Sequence, residues 1–485
     1  MFAQEVSLIL IDSLSKETIP FASITSNFDE NAITNEEGVF KLKKYTSFTD
    51  KDSLFISCMG FEPYREAINQ LPDSLLLIAP KAIQLNDVIL SQNNLTAEEV
   101  IKRARKNVAE KYDLSLTKKT FFLRESFDQK WVQRTLKIKK STIKEFNQVF
   151  WDSILRSVPI QDTWHTETLG ELFGNWSSDE QKLILLRAVE LADTINAKGY
   201  EQIENKITNV LDENVKENSY FKFKSGIFST KVDRAEVIEK ALDSTALDTT
   251  KLANKTNENS FHKARKNRLK SLFNSLIKRD RLDIEVLKKS NLYQYELLNF
   301  TFIDNKPVYQ IRFFPNSSKG KYKGTLYVEA DRYTLIQMDY ENVKSIRDFS
   351  LLGLSFDAYG RKVKLRFNSF DGHRYQLQYA FLETKFRTGI DRPIRMIEKN
   401  KYVRGRRKQN ELKGDIHFKL DQKSTVNLIV FNSETVSAST IKRKKETTLF
   451  KPEKRSAYDP SFWEGFNIIA PNEAIRAFTA EEKKP

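Results

Sequence analysis

Four histidines, His165, His262, His373 and His417, and one cysteine, Cys58, are the first residues to weigh for chemistry in this 485-residue chain. No histidine stands in a His-Glu-x-x-His or His-x-x-Glu arrangement. Asp162, His165 and Glu167 put three potential ligands within six residues, and they could hold a cation only if a tight loop gathered them. As polar residues ahead of a helix they need no such role. Cys58 closes the apolar run from Leu54 and reads as buried packing, not as a nucleophile. A Gly-rich phosphate loop, a Gly-x-Ser-x-Gly elbow and a Ser-x-x-Lys with its supporting motifs are absent. The chain therefore predicts no catalytic residue, no metal and no cofactor. Near the C-terminus, Tyr458-Asp459-Pro460-Ser461-Phe462-Trp463-Glu464-Gly465-Phe466-Asn467 concentrates aromatic rings. Phe462, Trp463 and Phe466 are the candidate ligand-binding residues, able to stack on a sugar or a partner. The same rings would serve equally to pin the tail onto its own domain.

Charge narrows the partners. The formal net charge is +15, with basic clusters at Lys102 to Lys106, Lys137 to Lys140, Arg404 to Lys408 and Lys442 to Lys445. Solvated faces account for most such clusters, and an anionic envelope surface is the functional alternative. No nucleic-acid fold signature accompanies them. No run of 18 apolar residues exists, so no helix spans a membrane. The β-rich part after Leu292 is too short and too charged for a membrane barrel. Phe2-Ala3-Gln4 resembles the tail of an export leader, which predicts a mature start near Gln4 or Glu5. One cysteine excludes an intrachain disulfide.

The elements that must position any site begin with short alternating runs at Val6 to Asp12, Phe21 to Thr25, Val39 to Leu42, Leu54 to Cys58 and Leu75 to Ala79, separated by turn residues. That spacing is the pattern of a small β-sandwich. Gly38 falls where the chain must reverse, so it needs a positive φ. Phe40, Leu54, Ile56 and either Phe21 or Ile24 are the candidate core. The sequence Pro20-Phe21-Ala22-Ser23-Ile24, Thr34-Asn35-Glu36-Glu37-Gly38-Val39-Phe40, Ile56-Ser57-Cys58-Met59-Gly60-Phe61-Glu62 and Leu85-Asn86-Asp87-Val88-Ile89-Leu90 resembles the carboxypeptidase-regulatory-like (transthyretin-like) domain of Bacteroidetes proteins. The resemblance covers about residues 5–90 and implies an exported protein with no peptidase activity, because that domain carries no catalytic zinc. Cys58-Met59-Gly60-Phe61 departs from the family's usual apolar pair followed by Gly-Tyr.

Thr96 and Glu99 form a capping box for a helix over 95–112, whose Val100, Ala104 and Val108 make one apolar stripe. Two strands follow, Lys119 to Phe127 and Lys130 to Lys140. The spacing then predicts helices over Ile143 to Val158, Glu180 to Ala197 and Tyr200 to Asn214, a strand at Tyr220 to Phe228, and a polar, mobile excursion at Asp233 to Ser260 with a short helix at Ala235 to Leu242. A basic amphipathic helix over Phe261 to Ile277 comes next. From Leu292, about nine strands run in succession, at Tyr293 to Ile303, Pro307 to Phe314, Gly324 to Glu329, Leu335 to Glu341, Ser350 to Tyr359, Arg361 to Phe370, Arg374 to Lys385, Gly414 to Phe418 and Asn427 to Glu434, with hairpin turns at Asp304-Asn305-Lys306 and Tyr359-Gly360. Tyr309-Gln310-Ile311-Arg312-Phe313, Tyr322 to Glu329 and Asp331 to Ile336 look like the curved-sheet proteins related to periplasmic lipoprotein carriers. That resemblance implies a helix packed in the concave face of the sheet and transfers no binding residue.

The resulting reading is α+β: an N-terminal all-β sandwich followed by a curved antiparallel sheet with a helical insertion. Its boundaries are 1–91 for the sandwich, 92–118 for the linking helix, 119–290 for two strands and the insertion with its polar segment at about 233–260, 291–450 for the curved sheet and 451–485 for the aromatic tail. The functional expectation is a non-enzymatic binding or scaffolding protein of the periplasm or outer-membrane periphery. An envelope protein, lipid or glycan would be its partner, with an apolar or glycan ligand held in the concave sheet. The alternatives are a hydrolase of envelope polymer, for which Asp162, His165 and Glu167 are the named candidates, and a surface adhesin.

Overall fold

A computed structural model describes residues 3–27, 32–45, 48–58, 61–80, 95–106, 108–176, 181–192, 194–226, 228–233, 259–278, 281–303, 306–404, 408–464, 466 and 468–478. The Leu85 to Leu90 run of the family resemblance, the excursion at about 233–260 except its flanks, and its short helix lie outside the described residues.

The first 80 residues build two small sheets. One has the order β4 (Val39–Tyr45), β1 (Ala3–Asp12), β7 (Leu75–Ile78); the other has β3 (Ala32–Ile33), β2 (Ser23–Ser26), β5 (Ser53–Ser57), β6 (Tyr64–Ala67). Alternation along each strand turns Leu8, Leu10, Ile24, Phe40, Leu42, Leu54 and Ile56 into one shared core. Gly38 takes φ +75, and a Cβ there would lie 2.9 Å from the Leu10 carbonyl oxygen, so both conformation and space require glycine. Phe21 is also buried, but it leaves this core. Its φ of +62 swings the ring outward, onto Tyr379 and Phe381 of the large sheet at 5.4 and 5.7 Å.

Thr96 caps the helix Ala97–Ala104 through the complete capping box with Glu99, and a second short helix, Val108–Lys111, follows. The expected single helix is therefore two pieces. Its apolar stripe is as read, with Val100, Ala104 and Val108 buried. These helices lead into a fourteen-stranded sheet. Its chain order begins with β8 (Thr117–Ser141), β9 (Gln161–Gly174), β10 (Lys182–Ala192), β11 (Ser219–Ser225) and β12 (Phe228–Asp233). A two-stranded ribbon, β13 (Ile277–Lys278) and β14 (Arg281–Leu282), stands apart from it. The sheet resumes with β15 (Tyr293–Ile303), β16 (Lys306–Pro315), β17 (Tyr322–Glu329), β18 (Thr334–Asn342), β19 (Arg347–Leu351), β20 (Leu354–Asn368), β21 (Gln376–Asn400), β22 (Lys408–Thr435) and β23 (Glu453–Arg455). The main path is β15-β16-β17-β18-β20-β21-β22-β8-β9-β10-β23, antiparallel except for the last pair.

One face of this sheet carries the helices Ala97–Ala104 and Asn259–Asn274. Val100, Ile101 and Ala104 from the first and Leu269, Leu272 and Phe273 from the second share a core with Phe121, Leu123, Ile311, Leu326, Met338, Leu365 and Leu428. Glu125 on this inner face pairs with Arg265 and Arg268 of the second helix. The opposite, outer face carries the N-terminal unit and the C-terminal tail. Helices Gln148–Ser157 and Thr194–Asn214 pack with Phe221 and Leu412 around a separate core at the far end of the long strands.

Several expectations change. Lys119 to Phe127 and Lys130 to Lys140 form the single 25-residue β8. Gly414 to Phe418 and Asn427 to Glu434 lie within the single 28-residue β22. The helix expected over Glu180 to Ala197 is β10, and the residues expected to precede it as loop are β9. The hairpin turn falls at Leu352-Gly353, both at positive φ (+50 and +75), and not at Tyr359-Gly360. Gly360 instead lies at a register shift inside β20, where a Cβ would sit 2.9 Å from the Lys385 Cβ. Of the turn expected at Asp304-Asn305-Lys306, the first two residues lie outside the described residues; Ile303 pairs with Lys306.

Candidate functional site

The sequence candidates for catalysis come apart on β9. Successive side chains of a strand point to opposite faces, so Asp162 faces away from His165 and Glu167. His165 is 4% exposed and Glu167 is fully buried, both on the outer face. Glu167 answers Arg124 of β8, whose Nε donates to its Oε1 at 2.7 Å. The guanidinium also donates to the carbonyl oxygens of Ala470 at 3.0 Å and Ile469 at 2.6 Å. The second carboxylate oxygen accepts the Trp463 indole N–H at 2.5 Å. Every strong polar group here is engaged in holding the tail. The His165 Nδ1 lies 2.7 Å from the Ser126 hydroxyl, and its Nε2 has no hydrogen-bond partner. Burial, then the Arg124 charge, pushes this imidazole down to about 4, so it is neutral at physiological pH. Among the described residues no three His, Cys, Asp or Glu side chains gather as a metal site.

The aromatic tail is placed by the same cluster. Phe462 and Trp463 are 5% and 3% exposed, and the indole meets Phe122 edge-on at 5.3 Å. Arg187 lies over Phe462 at 4.2 Å and over Phe466 at 5.2 Å. Phe466 alone of the three keeps substantial exposure, 36%. Neither Phe462 nor Trp463 offers a free ring to a sugar, because both are buried, Phe462 beneath Arg187 and Trp463 against Phe122.

The Thr34-Asn35-Glu36-Glu37-Gly38 turn docks here too. The Asn35 side-chain amide donates to the carbonyl oxygens of Ala470 and Pro471 at 3.3 and 3.1 Å. Glu37 pairs with Arg476 at 2.7 Å, and Asn427 of β22 donates to Glu36 at 3.0 Å. The turn therefore joins the N-terminal unit to both sheet and tail.

The ligand was expected in a concave sheet, and among the described residues that inner face is occupied by helices. The core side chains there are buried. That expectation is corrected by packing: the basic helix Asn259–Asn274 has its apolar face on the sheet, beside Ala97–Ala104.

An open cleft of about 460 Å³ lies instead between the outward face of the β2-β5-β6 sheet and the outer face of the large sheet. Strand pairing puts Ser23 beside Ser57 and Thr25 beside Phe55, with Arg65 next in line. These are the outward partners of core residues Ile24, Leu54 and Ile56. The Arg65 guanidinium sits 4.8 Å from the Phe55 ring centroid. The opposite wall carries Lys306, Gln337, Arg366, Asn368, Tyr375 and Gln378. Lys306 Nζ donates to the Tyr375 hydroxyl at 2.7 Å, and Gln337 is the cross-strand partner of Arg366. Cys58 lies at the rim, partly buried and packed against the core of the N-terminal unit, as its sequence suggests. Sequence reading missed these residues. Their one local signal is polar alternation along Ser23–Ser26 and Ser53–Ser57, and nothing local links those strands to Lys306 or Arg366.

No family model matches the chain, and no curated protein matches it. Among solved structures, the chain is 10% identical to a LolA superfamily protein from Nitrosomonas europaea, over 72% of this chain and 98% of that one, with a TM-score of 0.17. A putative outer membrane lipoprotein-sorting protein domain from Vibrio parahaemolyticus is 8% identical, over 71% and 97%, with a TM-score of 0.19. The MucA/MucB complex of Pseudomonas aeruginosa gives 8% identity over 74% and 99%, with a TM-score of 0.16. Likenesses this distant carry no functional weight.

Proposed function

We propose that this chain is a non-enzymatic binding or scaffolding protein of the bacterial cell envelope, and that its ligand site is the cleft between the N-terminal β unit and the outer face of the large sheet. The carrying observation is that cleft, lined by Arg65, Lys306 and Arg366 with side-chain hydroxyls and amides on both walls and no carboxylate in the lining. Its volume falls within the roughly 300–1,000 Å³ of small-molecule sites. The envelope address rests on the resemblance of residues 5–90 to a transthyretin-like domain. The hydrolase alternative loses its named residues, since Asp162 faces away from His165 and Glu167 while Glu167 is committed to Arg124 and Trp463.

The test is titration calorimetry of the purified chain against neutral and acidic oligosaccharides, lipopolysaccharide and anionic-lipid vesicles, beside Thr25→Trp, which fills the cleft. Binding of any of these that Thr25→Trp abolishes supports the proposal. Binding of none, or binding that Thr25→Trp leaves intact, overturns it.

A further inference from the structure

We infer that the cleft takes a carboxylate-bearing oligosaccharide, an inference that rests on the cleft being the ligand site. The charged side chains of the lining are all cations: Arg65 from the N-terminal unit, and Lys306 and Arg366 from the large sheet. Two carboxylates outside the lining accept hydrogen bonds from lining residues. Asp339 accepts from Gln337 at 3.1 Å, and Glu66 accepts from the Tyr64 hydroxyl at 3.2 Å. Burial raises the Asp339 pKa, with Lys364 and then Arg366 opposing that shift. The cleft is thus short of negative charge, and its two arginines approach from opposite walls. A guanidinium fork matches a carboxylate in two parallel hydrogen bonds, which an ammonium cannot do.

The remaining lining selects within the anions. Ser23, Thr25, Ser57, Gln337, Asn368 and Gln378 carry groups that both donate and accept. That mixture suits a ligand dense in hydroxyls, and Ile56, Pro63, Ile336 and Phe367 add apolar surface for the C–H faces of its rings. Phe55, 36% exposed, supplies an apolar ring of the kind that packs on the C–H face of a sugar, with Arg65 beside it. An acidic peptide would use the cations but would leave the hydroxyl and amide pairs poorly matched.

The experiment titrates tetragalacturonate and sialyllactose, beside cellotetraose as a neutral control and pentaglutamate as a non-sugar polyanion. Each is measured on the full chain and on Arg65→Gln, Arg366→Gln and Thr25→Trp. We expect at least one acidic sugar to bind at least tenfold more tightly than cellotetraose and pentaglutamate. Its affinity should fall at least tenfold in each arginine variant and weaken as salt rises from 50 to 500 mM, as screening requires. Thermal melts of the two glutamine variants, both at the cleft surface, check that folding is retained. Equal binding of cellotetraose, lost in Thr25→Trp, overturns the acidic preference and leaves the cleft as a site. Equal binding of pentaglutamate marks a generic polyanion surface and overturns the sugar. Acidic-sugar binding untouched by all three variants overturns both this inference and the cleft reading, as does the absence of binding by any probe in either panel.

Discussion

Replacing Glu167 by alanine tests whether the Arg124–Glu167 pair holds the C-terminal tail on the sheet. The two side chains are 2% and 0% exposed. Removing one partner of a buried ion pair leaves an uncompensated charge and costs about 3–5 kcal/mol. The same change strips the Trp463 N–H of its acceptor. An unsatisfied buried donor costs about 1–3 kcal/mol, and part of that overlaps the first term, so the two are not summed. Arg124 retains the carbonyl oxygens of Ile469 and Ala470, which favours the low end. At about 1.4 kcal/mol per factor of ten, a loss of about 3 kcal/mol raises the local opening constant of the tail by roughly 10². Hydrogen exchange should therefore show the amides of 458–478 losing protection by about that factor while β20 and β21 change little. Arg124→Met with Glu167→Leu should recover only part of the loss, because it removes the unpaired buried charge but leaves the Trp463 N–H and the carbonyl oxygens of Ile469 and Ala470 without partners. Unchanged protection of 458–478 in Glu167→Ala, or a loss spread evenly over the sheet, would refute the reasoning.

His165 is held neutral, with its pKa lowered to about 4 against an ordinary 6.5. The unfolded chain binds the extra proton first as pH falls, so stability should be complete above about pH 6.5 and decline toward pH 4, by on the order of 3 kcal/mol; urea titrations should show a shallower decline in His165→Gln. Thr96→Ala removes the side-chain acceptor of the capping box and should cost about 1 kcal/mol, seen as faster exchange in Ala97–Ala104; unaltered exchange there would rule out the cap. Leu352 is 54% exposed at φ +50 in a two-residue hairpin loop, so Leu352→Asn should raise stability by about 0.5–1 kcal/mol, and a lower thermal midpoint would contradict the strain argument.

The local hairpins after Leu292 were legible because each strand has one apolar and one polar face and a short turn to the next. β15 to β18 match their sequence ranges to within a residue or two. The long strands were read in pieces for a definite reason. The middle of β21, from Leu382 to Arg387, is half-buried on both faces, and Lys, Arg and Glu interrupt its alternation. β10 was read as a helix because its apolar residues change parity. A bulge between Leu185 and Arg187 puts Leu183, Leu185 and Ala188 in the inner core and Val189 and Leu191 in the outer one. Three-residue spacing in a sequence then marks a shifted strand covered on both sides. The capping box and Gly38 were legible because each depends on neighbours within a few positions. The cleft was not, since Thr25, Arg65, Lys306 and Arg366 meet only after the outer face has received the N-terminal unit.

The strand order has a consequence for how the protein is made. β8, the first strand of the large sheet to be synthesised, lies between β9 and β22, and Thr117 pairs with Thr435. The middle of the sheet therefore waits for more than half of the chain to follow it. Contacts of such separation in sequence slow folding, because loop closure precedes any gain from the pairing. Until β22 arrives, one edge of β8 is an open template for pairing with other chains. The tail that covers Arg124 and Glu167 comes later still. A chain interrupted before about residue 435 would carry that unpaired edge, together with a buried-type ion pair exposed to water, and would be a natural client for a holding chaperone.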